Sequence, residues 1–303
     1  MISFILNLLH FSNILNSTEN NRLFIQEHNN KNLSFTVEEN QFIDRFYDNE
    51  FFKEDTHYLG TNHSNSINID FNESMNESMN ESMNESVPEK YDWRKHNKVS
   101  SVKNQGQCGS CWAFSATEAV EGEWAIKNNV LFNLSQQELV DCSYQNKGCN
   151  GGSMTQAFQF IIENGLCTNL SYPYVAQQEV CQKEQCEPVV KLSNYSDIEE
   201  NNEKILKRAV YQQPVSVAIQ ANKRSFQMYQ SGIYSDLDCG FQLDHGVLLV
   251  GYGYDLLNDM DYWIIKNSWG PTWGENGYIR IQRNIEDERG LCGVAMQPSI
   301  PII

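Results

Sequence analysis

Two cysteines three residues apart, Cys108 and Cys111, stand in the stretch Gln105-Gly-Gln-Cys-Gly-Ser-Cys-Trp112. A cysteine does chemistry as its thiolate, so the question is what favours that form. After Trp112 the chain carries apolar Phe114, Val120 and Trp124 at helical spacing, with acidic residues between them. Cys111 therefore stands at or near a helix N-terminus, where the partial positive charge favours a thiolate over a thiol. Taken alone, a C-x-x-C pair leaves two other readings open, a redox couple and half of a zinc site. No second C-x-x-C, no C-x-x-H and no βαβ pattern accompanies it.

A reactive thiol needs a frame to hold it. At 303 residues the chain can bury a substantial core divided between two lobes. From Val87 to about Pro188 the pattern is helical and cysteine-rich. Ser135-Gln-Gln-Glu138 has the form of a capping box ahead of an apolar run, Met154 to Ile162 reads as a further helix, and Tyr172-Pro-Tyr174 marks an extended loop. From Val189 the style changes to β-rich runs broken by Gly and Asp/Asn turns: Pro214–Ile219, Gly246–Gly253, Asp261–Lys266 and Gly277–Arg283.

Charge is unevenly placed. The net charge of −17 argues against nucleic acid as a partner, and 14 acidic against 4 basic residues precede Val87. All nine cysteines lie from Cys108 onward, which suits a disulfide-bearing, non-cytosolic domain with one thiol left over. N-x-S/T sequons at Asn16, Asn32, Asn62, Asn72, Asn76, Asn80, Asn84, Asn133, Asn169 and Asn194 are compatible with the secretory route. Residues 1–15 have the apolar content of a signal segment but no basic start or clear cleavage site; an amphipathic helix of a pro-region and a misassigned start are the alternatives. No later stretch is long and apolar enough for a membrane helix, and no stable membrane anchor is expected. Residues 72–86 repeat Asn-Glu-Ser-Met, too polar and too short to fold alone, and read as a flexible linker suited to proteolytic activation.

Cys108-Gly-Ser-Cys111-Trp112 resembles the signature of papain-like cysteine proteases, in which a His and an Asn follow about 130–150 residues downstream. His245 in Leu-Asp-His-Gly-Val and Asn267 in Ile-Lys-Asn-Ser-Trp-Gly fill those places, and the likeness runs from about Val87 to the C-terminus. The resemblance implies an α+β, papain-like two-lobe fold: a helical left lobe, a β-barrel-like right lobe, the active site in the cleft between them, and a propeptide before them. The implied domains are a degraded signal and inhibitory propeptide region over 1–71, the acidic linker over 72–86 and a peptidase domain over 87–303. In the propeptide, Asn21, Ile25 and Asn29 match the end of the helical motif of the cathepsin L-like branch, whereas His10, Ile14 and Thr18 do not match its beginning. Glu38-Glu-Asn40-Gln-Phe42-Ile-Asp44 resembles its second motif with the Gly replaced, and Phe42, Phe46, Tyr47, Phe51 and Phe52 could pack on the enzyme. An ordinary polar arm is the alternative.

By the same resemblance, Cys111 is the nucleophile, His245 its acid/base partner and Asn267 the residue that orients the imidazole, with the thiol pKa depressed by imidazolium and helix end together. Gln105 and the Cys111 N–H form the oxyanion hole, and Trp269 shields the Asn–His hydrogen bond. Asn150, Gly151 and Gly152 pair with the substrate backbone. Met154, Ala218, Leu243, Gly246 and Gln297 line the pocket for the residue two before the cleaved bond, favouring an apolar side chain there. Three family disulfides map to Cys108–Cys149, Cys142–Cys181 and Cys239–Cys292. Cys167 and Cys186 then form a fourth bridge or stay as two free thiols. The implied protein is an endopeptidase open at both ends of its cleft, made as a zymogen, with no metal or other cofactor. It acts as a monomer on protein and peptide substrates, with cystatin-type inhibitors as partners, in a lysosome-like or vacuolar compartment or secreted. Two other functions compete: a catalytically silent relative that binds without cleaving, and a redox protein using a Cys108–Cys111 couple.

Overall fold

The computed structural model describes residues 17–47 and 87–303; the apolar start, the whole linker 72–86, Phe51 and Phe52 lie outside them. Two clusters of buried side chains organise the chain. One is helical and gathers Trp112, Leu139, Phe158 and Ile161; the other is β-rich and gathers Tyr229, Tyr234, Trp263 and Trp273.

The helical lobe is built on α2, Cys111–Asn128, flanked by α3, Gln136–Cys142, and α4, Met154–Asn164. Ser135 caps α3 by accepting the N–H of Glu138, but Glu138 does not complete a capping box. Its carboxylate accepts the N–H of Cys167 instead, tying α3 to the next loop. The helical spacing read from the sequence sets the acidic residues of α2 apart from its apolar face. In the fold this helix is buried almost all round, Glu118 and Glu121 included. It lies between the other helices and the sheet, so a polar face has no solvent to meet.

The β lobe carries β3 (Asn194–Asp197), α5 (Glu203–Gln212), β4 (Val215–Ile219), the short α6 (Arg224–Gln227), β5 (Tyr229–Tyr234), β6 (His245–Asp255), β7 (Met260–Lys266), β8 (Tyr278–Gln282) and β9 (Ser299–Ile302). With β1, Phe35–Val37, the strands run in the order β1-β5-β8-β7-β6-β4-β9-β3, and β2, Tyr91–Asp92, pairs with β6. All pairs are antiparallel except β5 with β8. The sheet is open rather than a closed barrel. The lobes are stitched by side chains of α2: Ser115 Oγ donates to the Val247 carbonyl of β6 at 2.7 Å, and Ser216 Oγ of β4 donates to the Ser115 carbonyl at 3.0 Å.

The segment 17–47 folds onto the β lobe. A helix, α1, runs through 17–29, followed by β1, which adds an antiparallel strand to the edge of β5. Asn21 Nδ2 donates to the Ile43 and Arg45 carbonyls at 2.8 Å each, so the helix braces the returning chain. Asn29 exchanges two hydrogen bonds with the backbone of Val37. Asn40 and Tyr47 both bond Gln227, and Phe42 is buried edge-on against Trp269 with ring centroids 4.9 Å apart. Phe46 stays exposed.

Candidate active site

Cys111 opens α2 and is fully buried. Its neighbours come from the other lobe. A Cβ on Gly246, the second residue of β6, would lie 3.3 Å from the Cys111 carbonyl carbon and oxygen and from Met154 Sδ. That close approach brings the start of β6, where His245 stands, against the start of α2.

The imidazole is held from behind. His245 Nε2 and Asn267 Oδ1 are 2.7 Å apart. The same Oδ1 accepts the backbone N–H of Ser268 at 2.8 Å, and a backbone N–H can only donate. The amide orientation is therefore settled, and Nε2 is the donor. Nδ1 is left as the ring nitrogen able to exchange a proton with a thiol. The indole of Trp269 stacks on the imidazole, centroids 4.7 Å apart, and covers this bond.

Burial works against the thiolate that the sequence leads one to expect. Burial pushes Cys111 up to about 11, and the nearby Asp244 charge raises it too, while a hydrogen bond from the Gly246 backbone works against them. Desolvation penalises the charged form, so burial opposes the helix end at this thiol.

Gln105 is buried and fixed at both ends of its amide. Oε1 accepts from Ser268 Oγ at 2.7 Å, and Nε2 donates one proton to the Cys108 carbonyl at 3.0 Å, leaving a second N–H. Its own N–H donates to the Ser268 carbonyl at 2.8 Å. The segment 148–152 runs beside the nucleophile loop, with Gly109 and Asn150 bridged in parallel and Gly109 N–H donating to the Cys149 carbonyl at 2.9 Å. Gly152 admits no side chain, since a Cβ there would meet the Trp112 ring at 2.7 Å. Asn150 is exposed.

Of the five residues assigned to the apolar pocket, four are brought together. Ala218 pairs with Gly246 across β4 and β6, and Met154, Ala218 and Leu243 share one apolar cluster. Gln297 is half-buried farther along the chain. Met296, which sequence reading did not single out, adjoins Leu243: its sulfur and a Leu243 methyl flank Gly293.

Four disulfides join Cys108 to Cys149, Cys142 to Cys181, Cys167 to Cys186 and Cys239 to Cys292, and Cys111 is free. Cys108 is thus committed to Cys149, which removes it as the partner of a redox couple with Cys111. Lys266 adjoins Asn267 and is buried against Glu118 of α2 at 2.8 Å, an ion pair that sequence spacing does not signal.

Residues 87–302 match the family model described as papain family cysteine protease. A probable cysteine protease RD21B of Arabidopsis thaliana is 46% identical over 288 residues, covering 94% of this chain and 59% of that protein. The chain spans about three-fifths of the length of that relative. A digestive procathepsin L 3 of Tenebrio molitor larval midgut superimposes with a TM-score of 0.82 at 39% identity, covering 96% of this chain and 91% of that one. Bromelain from Ananas comosus, solved in complex with the E64 inhibitor, gives a TM-score of 0.69 at 42% identity over 72% of this chain and all of that one.

Proposed function

The chain belongs to the papain family of cysteine proteases, and from that premise we propose that it is a cysteine endopeptidase made as a zymogen. The observation that carries the reading is a free thiol at a helix start, packed through Gly246 against the strand that opens with an imidazole whose tautomer Asn267 and Ser268 fix. His245 Nδ1 takes the Cys111 proton, and the sulfur attacks the peptide carbonyl to give a thioester and release the amine, which the imidazolium protonates. Water then attacks the thioester with the imidazole as base. The second N–H of Gln105, with the Cys111 backbone N–H, stabilises the tetrahedral oxyanion; loss of one such donor costs about 10²–10³ in rate. Asn150, Gly151 and Gly152 pair with the substrate strand, and Met154, Ala218, Leu243 and Gly246 receive an apolar side chain two before the cleaved bond, with Gln297 at the floor.

The segment 17–47 acts as the inhibitory part of the zymogen, and 72–86 is where it is cut. Supporting this are β1, added to the sheet, and Phe42, which covers Trp269. The working compartment is acidic and vacuole-like, or extracellular. Among the sequons, Asn133 is exposed and open to a glycan. Protein and peptide substrates and cystatin-type inhibitors are the partners of a monomer.

The test is labelling with an epoxide inhibitor at mildly acidic pH, followed by peptide mapping, on the full chain and on the chain from Val87. Label on Cys111 in the shorter chain alone supports both the nucleophile and the inhibitory segment. Label on both removes the inhibitory role. No label on a folded shorter chain overturns the protease reading in favour of a silent relative. Peptides carrying Leu, Phe or Arg two before the cleaved bond test the pocket; Arg preferred over Leu would refute it.

A further inference from the structure

Tyr172-Pro-Tyr174 stands out in the sequence, and nothing in the mechanism above uses it. Its two hydroxyls do different things. That of Tyr172 donates to Asp141 Oδ2 at 3.0 Å and accepts the N–H of Gln182 at 3.1 Å, joining α3 to a distant loop. That of Tyr174 reaches the catalytic loop. It donates to the backbone carbonyl of Gln105 at 2.8 Å and lies 2.6 Å from Ser110 Oγ.

A carbonyl can only accept, so the single phenolic proton goes to Gln105. Ser110 must then donate to the phenol oxygen, a shorter contact than its 3.4 Å alternative to the Cys108 carbonyl. The result is a directed chain from Ser110 through Tyr174 to Gln105. Its two ends are the residue just before the nucleophile and the residue whose amide faces it.

The ring is anchored independently of these bonds. It packs edge-on against Phe114 of α2 with centroids 4.9 Å apart, and the neighbouring Val175 N–H donates to Gln137 Oε1 of α3 at 2.9 Å. Burial and the adjacent thiol hold the phenol up to about 12, with the Ser110 bond opposing, so it remains a neutral donor throughout the working range. Ser268 grips the Gln105 side chain, and Tyr174 grips its backbone.

We propose that Tyr174 is a positioning residue of the oxyanion hole, its hydroxyl fixing the distance between the Gln105 amide and the Cys111 N–H. This rests on the reading of Gln105 and the Cys111 N–H as the oxyanion donors. An oxyanion hole works because its donors are already in place when charge develops, so a loosened clamp weakens the transition state more than the bound substrate.

The experiment compares Tyr174→Phe, Ser110→Ala, Gln105→Ala and Tyr172→Phe with the parent, each as the full chain cut in its linker by a glutamate-specific protease. Three quantities are read: kcat and KM on a peptide substrate, affinity for a peptide aldehyde, and the rate of Cys111 alkylation by iodoacetamide. The aldehyde adds to the sulfur and leaves an oxyanion in the hole. Iodoacetamide forms the S–C bond with loss of iodide and needs no such hole.

Tyr174→Phe is expected to lower kcat and aldehyde affinity together by about 10-fold, with KM and alkylation unchanged. Ser110→Ala should do the same to a smaller degree, and it gives the answer if the Phe variant does not fold. Tyr172→Phe should lower stability and leave all three quantities alone. A loss in Gln105→Ala with none in Tyr174→Phe and Ser110→Ala overturns the positioning role and leaves the oxyanion reading standing. No loss in any of these three overturns both. An equal fall in alkylation and aldehyde affinity makes Tyr174 a merely structural residue and also overturns the proposal.

Discussion

The β lobe meets two other bodies, and among the described residues only one of those contacts buries ion pairs. Toward the helical lobe the contact is charged. Lys266 of β7 is buried against Glu118 at 2.8 Å and donates to Ser100 Oγ at 3.0 Å, while Lys103 bonds Glu121 at 2.7 Å and stands 3.8 Å from Glu118. Burial raises the Glu118 pKa and lowers that of Lys266, and each restores the charge of the other. Toward the segment 17–47 the contact is mainly aromatic and backbone: a short antiparallel strand, rings of Phe35 on Tyr229 and Tyr234, an amide bond from Asn40 to the Gln227 carbonyl, one buried histidine, His28, and the guanidinium of Arg224 over Phe24 and Tyr47.

The difference separates a permanent seam from a releasable one. Two charges taken out of water together are costly to part, because each would be left buried alone. Rings and backbone bonds leave no buried charge behind when they part, because the backbone groups can turn to water. The groups that must stay aligned, Cys111 on one lobe and His245 and Asn267 on the other, are joined by the seam that resists opening. On the proposed reading, the segment that leaves on activation is joined by the other.

Breaking the charged seam should have the largest effect. Lys266→Ala leaves Glu118 buried without its nearest counter-charge, and a loss of about 3–5 kcal/mol is expected in urea unfolding of the full chain. A loss below 1 kcal/mol would mean that water or a shifted Lys103 replaces the pair. Next in size is the seam to the segment 17–47. Phe35→Ala removes a ring that is 3% exposed and should cost about 3 kcal/mol of docking. Its readout is epoxide labelling of Cys111 in the uncut chain, expected to rise while urea stability of the 87–303 body stays unchanged. A fall in both together would make the two seams one cooperative unit.

The smallest effect sharpens the contrast through pH. His28 is packed between Phe24 and Phe35, its Nε2 is 3.3 Å from the Phe35 carbonyl, and burial lowers its pKa from about 6.5. Lys31 lowers it further, whereas that carbonyl and Asp236 raise it. The docked segment therefore binds fewer protons than the released one. Docking is fully favourable above the ordinary value near 6.5 and weakens as pH falls below it. Cys111 labelling of the uncut chain should rise on acidification, and His28→Phe should flatten that rise. A rise of the same steepness in the variant would assign the response to other groups.

Much of the site can be read from linear spacing. The order of Cys111, His245 and Asn267 states the chemistry, because nucleophile, base and orienter are residue types with few alternatives at that distance. The helix at Cys111 and the runs that become β4, β6, β7 and β8 are equally readable, since hydrophobic period follows backbone geometry. The placements of Asn21 and Asn29 are visible as motif matches, but what they bind is not: their partners, Ile43, Arg45 and Val37, are backbone groups without residue identity.

By itself, then, the sequence determined which groups can react and which local elements hold them, because both depend on residue type and short-range spacing. Only the tertiary structure decided which of them meet and how much water remains. Glu118 reads as a surface acid until α2 is enclosed on all sides, and Tyr174 reads as a loop residue until its hydroxyl is found 69 positions away in sequence, on Gln105. Cys111 reads as a thiol at a helix end, and only the fold shows how fully it is buried. Desolvation and long-range hydrogen bonding arise from residues distant in the chain, and no local pattern encodes them.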